Sequence, residues 1–522
     1  MANATAFANA VLTDVAAVDF APPIDQGSGY EISDCRHHAT YNKSGRLVTG
    51  VAATSSGAAP TEIDLLLDGG WVITVDEERR IFRNGSIAID GDRIVEVGQA
   101  AELRAKYSAK RVIDLTDKVV TPGLINTHRH LLCTAKGAQP DGQITLKNLS
   151  DFVYPSFAAL TESDMGIYSR HYVAEMIRFG TTTFEEPGCV HLDATIDALE
   201  ESGIRCRVGP WTWDHGGFAA DTLPDWLKLT TDQALDLLRD GLATVRARNN
   251  PKIMSAITVE GVGTCTDELY IGAAELAAAE DSLCVYHKAT SEREVEMELA
   301  LYGHRPVEHM YEVGGMNEYV LMNHVTSLEL FEVDMFAETG ARISQNPSSA
   351  LKLVKGTTQT GKWPELLAAG VPIGLGTDAE NASNHADICR SMNLAALLPR
   401  DARRDPNAVT AEQAIEMATI GGAKALRMDH LIGSLEAGKQ ADITIFDATD
   451  YDWRPMHNPV SSLVYGATGY SADTVIIGGD IVLENKVHTR IDAERAAHAV
   501  EECDRRILGE IGITPLPKWP VH

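Results

Sequence analysis

The sequence predicts an α/β protein: a (β/α)8 TIM barrel with a small β-sandwich domain built from both chain ends. Three observations carry this expectation. Between Val119 and about Arg427, short apolar runs alternate with helical patterns, as parallel β/α units require. Eight such runs occur, and polar residues gather just after several of them, where barrel enzymes place their chemistry. Hairpin-like segments stand before the alternation and return after it.

Taken in order, residues 1–60 are rich in Ala, Gly, Ser and Thr without sustained periodicity and read as an N-terminal arm or linker. Cys35, His37 and His38 fall there without a nearby fourth ligand. Residues 61–118 turn to short strands, DLLLDGGWVITV and RNGSIAIDGDRIVEVG, in which the Asp-Gly and Asn-Gly pairs mark turns. Their partners are expected within 431–490, in ADITIFDA and TVIIGGDIVLENK. The barrel then spans 119–430, with strands near 119–126, 181–185, 204–209, 253–259, 283–287, 319–323, 341–344 and 372–377. Helical patterns such as SDMGIYSRHYVAEMIRFG, QALDLLRDGLATVRAR and SEREVEMELALYG lie between them, and Ala411–Leu426 reads as one helix. Residues 491–522 make a C-terminal helix and tail.

Composition narrows the class. A chain of 522 residues can bury a large core, and 44% hydrophobic with 23% charged residues is ordinary for a globular protein. The net charge of −29 argues against nucleic acid or an anionic membrane as partner. Eight cysteines occur with no C-x-x-C pair, so neither a disulfide framework nor a zinc ribbon is indicated. No apolar run is long enough to span a bilayer, and the N-terminus has no basic segment ahead of its apolar part. The expected setting is cytoplasmic, and a long arm on a large barrel fits a homo-oligomer.

The chemistry begins at PGLINTHRH, residues 122–130. Side chains alternate along a strand, so His128 and His130 face one point. Two converging imidazoles are half of a site for Zn, Fe, Co or Mn. Alone the pair would read as solvated loop histidines. Three further polar groups follow in order, each ending a predicted strand: His287, His324 and Asp378. His287 also reads as a core histidine, and Asp378 as a helix cap, when each is taken singly.

This ordered set resembles the metal-dependent amidohydrolase superfamily, in the branch of cytosine-deaminase-like enzymes and triazine hydrolases. The resemblance runs from about Thr61 to Thr489 and rests also on EMIRFGTTTF, TCTDEL, SSALKL, GLGTDAENASNH and GSLEAGKQADI. It implies one divalent ion, Zn first among the choices, held by His128, His130, His287 and Asp378. Such an ion lowers the pKa of a coordinated water from about 15.7 toward 7. By the same resemblance Asp378 doubles as general base, and His324 hydrogen-bonds the water or the substrate.

Departures from the family pattern carry information too. The glutamate three residues after the strand-five histidine is Thr290, and a threonine cannot act as a carboxylic acid. The strand-seven motif has Ala350 in place of Asn and Asn346-Pro347 in place of Cys-Pro. Glu260 stands where a substrate-touching histidine is usual, so it is read either as the missing acid/base or as a bridge to a second ion. The pattern looks most like phenylurea and molinate hydrolases. That implies a small, apolar amide, urea or (thio)carbamate cleaved at a carbonyl C–N or C–S bond. Amino- or chlorohydrolysis of a triazine or other heteroaromatic ring is the alternative, and a non-catalytic binding protein on an inherited barrel is a third reading. Trp211, Trp213, His215, Asn346 and Thr290 are the expected substrate-binding residues, with Pro210, Phe218, Trp226 and Tyr154 in the same strand-end loops.

Overall fold

The computed structural model describes residues 59–132, 136–138, 147, 149–215, 223–515 and 519–520. Nearly all of the expected N-terminal arm, with Cys35, His37 and His38, lies outside them, as does Phe218.

Strands β1 (Thr61–Ile73), β2 (Ile81–Asp90), β3 (Arg93–Gln99), β4 (Tyr107–Asp114) and β5 (Lys118–Pro122) open the chain. The barrel follows with β6 (Leu124–Asn126), β7 (Thr181–Cys189), β8 (Arg205–Pro210), β9 (Ile253–Ser255), β10 (Ile257–Gly261), β11 (Cys284–Lys288), β12 (Val320–His324), β13 (Arg342–Gln345) and β14 (Ile373–Leu375). Last come β15 (Ile443–Asp447), β16 (Ala472–Ile477), β17 (Asp480–Glu484) and β18 (Val487–His488).

All barrel ladders are parallel and run in chain order. The fourth barrel strand is interrupted at Ala256, so β9 pairs with β8 and β10 pairs with β11. The circle is carried across that break by Ala256 N–H on the Val208 carbonyl, 2.9 Å, and closed by Thr127 N–H on the Leu375 carbonyl, 2.9 Å. The fold is therefore a (β/α)8 barrel with an additional domain.

The expected first barrel strand is divided at Gly123. Its first half, β5, belongs to the other domain, where Val120 pairs with Ile445 of β15 and with Val72 of β1. There the two chain ends meet in one nine-stranded sheet, ordered β18-β17-β16-β15-β5-β1-β2-β3 with β4 also on β1. Leu67, Val72, Ile89, Val120, Ile443 and Ile445 share its apolar core, so strands from either end bury the same face.

Two of the expected turns are instead inside strands. Asp68-Gly69 lies within β1 and Asn84-Gly85 within β2, where the β1–β2 register shifts twice between Asp68 and Val72. Bulges absorb an extra residue and bend the strand. A Cβ on Gly70 would sit 2.6 Å from Leu115 Cβ, so the bend requires glycine. Asp90-Gly91 does form the β2–β3 turn, with Gly91 at φ +58°.

The barrel helices start where side chains can satisfy their open N–H groups. Thr161 and Asp164 form a capping box on Glu162–Arg178, and Thr230 with Gln233 does so on Thr231–Ala247. The helix expected over Ala411–Leu426 breaks at Thr419 into Ala411–Ala418 and Ile420–Ala425. The C-terminal helix, Ala493–Glu510, packs on Glu162–Arg178 through Tyr168–Asp504 and Arg506–Asp164 pairs. Among the described residues no helix is long and apolar enough to cross a membrane.

Candidate active site

Each expected donor lies at or just beyond the C-terminal end of a barrel strand. His128 and His130 follow β6, His287 is in β11, His324 ends β12 and Asp378 follows β14. His128 is the centre: its ring centroid is 4.9 Å from His130, 5.0 Å from His287 and 5.1 Å from His324. Asp378 Oδ1 lies 3.5 Å from His128 Nε2, and Asp378 Oδ2 lies 3.8 Å from His324 Nε2. All five residues are buried.

The backbone is built to hold them there. The His128 carbonyl accepts the Asp378 N–H at 2.9 Å, tying the first strand end to the eighth. Gly376 permits that approach, since a Cβ there would meet Asn346 Oδ1 at 2.1 Å and His128 Cβ at 2.8 Å. His324 (φ +78°) and Asp378 (φ +63°) adopt the left-handed region, which is costly for residues with a Cβ and concentrates at functional sites. Asp378 does not serve as the N-cap of the following helix; its Oδ1 accepts the adjacent Ala379 N–H, and Ala379 is the cap residue.

The donor set fits a divalent metal. His128 and His130 carry buried ring nitrogens with no protein hydrogen-bond partner, which is costly unless something else binds them. The facing donor atoms of His128, His130 and His287 lie within 4.8 Å of one another, as do those of His128, His324 and Asp378. Burial pulls the imidazoles below their ordinary range, His287 to about 3, so they stand neutral and able to ligate. Burial would raise Asp378, but the close approach of His128 and the Lys355 charge hold it well below its usual value.

Tautomers divide the histidines. His287 Nδ1 lies 2.7 Å from the Glu260 carbonyl, so it donates there and leaves the Nε2 lone pair available to a metal. His324 Nδ1 instead receives the Asn346 amide at 3.2 Å, which puts the proton of the neutral ring on Nε2.

A cavity opens over this cluster. It holds about 50 Å³ between its lining atoms and about 520 Å³ counted out to its mouth. His130, Trp211, Glu260, His287, Thr290, His324 and Asp378 line it, together with Lys355 and Asn381. The Trp211 ring stands 5.0 Å from His130. Glu260 accepts the Tyr154 hydroxyl at 2.9 Å, and burial pushes its carboxyl up to about 8 against that bond. Thr290 donates its hydroxyl to Glu294 Oε2 at 2.8 Å.

Other expected substrate residues are placed differently. Trp213 packs behind the wall, 5.7 Å from Trp211 and 6.3 Å from Phe157. Asn346 supports His324 from below. His215 lines a neighbouring pocket with Asp267 and His309, and its N–H pairs with the Thr264 carbonyl at 2.9 Å. Trp226 is half exposed.

Two buried cations in the site are absent from the sequence reading. Arg129, between the ligand-type histidines, alternates to the opposite face and bonds the Asp378 carbonyl at 2.9 Å and the Glu380 carboxylate. Its position in His-x-His was the available signal. Lys355 lies 3.7 Å from Asp378 Oδ2, and no local pattern announced it.

A barrel with four histidines and an aspartate converging at its strand ends defines a metal-dependent hydrolase. The chain belongs to the amidohydrolase family, whose model matches residues 119–482; a short stretch, 87–107, also matches an imidazolonepropionase-like composite domain of bacteria. It is an enzyme of the class acting on non-peptide carbon–nitrogen bonds. It is 32% identical over 444 residues to a 5-methylthioadenosine/S-adenosylhomocysteine deaminase of Syntrophobacter fumaroxidans, covering 85% of this chain and 98% of that one. An adenosine deaminase of Xanthomonas campestris with bound zinc superposes with TM-score 0.79 at 26% identity, covering 86% of this chain and all of that one. A mutant atrazine chlorohydrolase of Arthrobacter aurescens, complexed with zinc and atraton, gives TM-score 0.76 at 25% identity, with 84% and 100% covered. These relatives are deaminases and a triazine hydrolase, so the finer likeness to phenylurea and molinate hydrolases gives way.

Proposed function

We propose that this enzyme hydrolyses an exocyclic C–N bond, or displaces chloride, at a ring carbon of a small nitrogen heteroaromatic. The observation that carries the reading is the Glu260 carboxyl, buried in the same cavity as the donor cluster and held by Tyr154. It supports deaminase-type chemistry despite Thr290, because it offers the departing amine a proton donor. The names of the relatives, adenosine-type deaminases and a triazine hydrolase, point the same way.

In this reading His128, His130, His287 and Asp378 hold one divalent ion, Zn first. When bound, the ion acidifies water and so supplies a nucleophile near neutral pH. The chain's own groups do the rest. Asp378, kept ionised, takes a proton from the water. His324 presents Nε2–H to the substrate and is itself oriented by Asn346. Trp211 offers a face on which the ring lies flat. Glu260 gives its proton to the departing amine.

A second reading keeps the same machinery but places it on a carbonyl C–N or C–S bond in an amide, urea or (thio)carbamate. Thr290 favours it, since its hydroxyl is committed to Glu294 and anilines and thiols leave with less help than ammonia. One panel separates the two. Triazines, aminopurine nucleosides, phenylureas, anilides and thiocarbamates are offered to zinc-loaded enzyme, and released ammonia, chloride, aniline or thiol is measured. Ammonia or chloride as the fastest product supports the first reading; aniline or thiol replaces it with the second.

A further inference from the structure

Lys355 is buried to 2% exposure although the residue before it, Val354, is 76% exposed. The chain turns sharply between them. Val354 adopts φ +55°, a strained conformation for a β-branched residue, and Gly356 follows at φ +86°. Lys355 N–H bonds the Ala350 carbonyl at 2.8 Å and fixes the turn. The result is an amine carried into the reaction cavity, where Lys355 lines the wall beside Glu260, Thr290 and Asp378. Burying an ammonium is costly, and Asp378 at 3.7 Å offsets that cost only in part.

The amine makes a loose ion pair with Asp378. Asp378 Oδ2, at 3.7 Å, is beyond hydrogen-bond reach and is shared with His324. Nζ lies 3.2 Å from His324 Nδ1 and 3.4 Å from His324 Nε2, and the Nδ1 lone pair already receives the Asn346 amide, so the N–H donors of Lys355 are not spent on that atom. Lys355 thus stands on the cavity wall beside His324 and Asp378, within reach of a group bound there.

We propose that Lys355 is a further catalytic residue, whose Nζ donates a hydrogen bond to the heteroatom that gains charge when water adds to the substrate. The proposal rests on the hydrolytic reading above and deepens it. Water's oxygen forms a bond to the ring carbon, and the C=N pair moves onto the adjacent ring nitrogen, or the C=O pair onto oxygen in the carbonyl reading. That atom accepts from Lys355. On collapse the pair returns, the C–X bond breaks, and X leaves with its electrons. Water's two protons end on the product hydroxyl and on X, so Lys355 is unchanged over the cycle.

The test uses Lys355→Met in the full-length zinc-loaded enzyme, first matched to the wild type by circular dichroism, since removing one partner of a buried charge pair can destabilise the fold. Metal content, kcat and KM are measured across the panel, with methylphosphonate as a tetrahedral oxyanion probe by calorimetry. The expected result is unchanged zinc per chain, kcat lower by about 10²–10³ for every substrate turned over, and KM within a few-fold. Methylphosphonate should bind at least about tenfold more weakly. Three results would overturn the proposal: loss of zinc together with activity, a rise in KM with kcat unchanged, or equal methylphosphonate affinity in both proteins. If the wild type turns over no panel member, the hydrolytic reading fails, and methylphosphonate binding still decides the role of Lys355.

Discussion

His287 and His324 stack 5.3 Å apart over one cavity with their protons on opposite ring nitrogens. His287 gives Nδ1–H to the Glu260 carbonyl, whereas His324 Nδ1 receives the Asn346 amide. One ring therefore offers a lone pair to the centre and the other a proton. His287→Asn should lose the metal. His324→Asn should keep it near the wild-type level while kcat drops about 10²-fold or more. Metal analysis of both purified variants checks the division, and a metal-free His324→Asn protein would make His324 a ligand.

The number of ions follows from Glu260. Neither donor group within metal reach includes it, and one of its oxygens is taken by Tyr154. About one Zn, Fe, Co or Mn per chain is expected, and His128→Ala should remove it together with activity. Glu260→Gln should leave metal content alone. Two ions in the wild type, with one lost in Glu260→Gln, would establish the bridging role instead.

His128, His130, His287, His324 and Asp378 were legible in the sequence because strand alternation and chain order are local properties, and a barrel puts all strand ends on one face. The same logic failed at Asp68-Gly69 and Asn84-Gly85. Asx-Gly pairs favour turns, but here the glycines bend a long strand whose partners decide its path. Lys355, and the Tyr154 bond to Glu260 across 106 positions, were not readable, since both depend on where remote segments pack. His215 shows the converse: a strand-end loop alone does not direct a side chain into the site.

The seam between barrel and sheet domain makes a stability prediction. Arg205 and Asp442 form a two-point ion pair, 2.8 and 2.9 Å, each side chain only 2% exposed, and Asp442 also accepts the Gly478 N–H. Removing one partner strands the other charge without water. Asp442→Ala should therefore cost about 3–5 kcal/mol, whereas Arg205→Met with Asp442→Leu should recover most of it. Urea unfolding of the single and double variants measures the difference, and equal losses would show that the pair itself contributes the stability.

The last prediction concerns the proton given to the leaving group. Thr290 stands where a carboxyl would reach the departing amine, but its hydroxyl and its N–H both donate to Glu294 Oε2, at 2.8 and 2.6 Å. Glu294 also accepts the Ala289 N–H, so that carboxylate is committed to the turn after β11. Glu260 is then the carboxyl left in the cavity for the work. General acid help is typically worth about 10²–10⁴ in rate, and it matters most for a basic leaving group. Glu260→Gln should cut ammonia release by that factor while chloride or methylthio displacement from the same ring changes less than about tenfold. A plot of log kcat against leaving-group pKa should thus be shallow in the wild type and steep in the variant. Thr290→Val should leave that slope unchanged and lower stability by about 1–3 kcal/mol, since Glu294 loses a buried donor. If Thr290→Val abolishes ammonia release and Glu260→Gln does not, the proton travels through Thr290 and Glu294 instead, and Glu260 only shapes the wall.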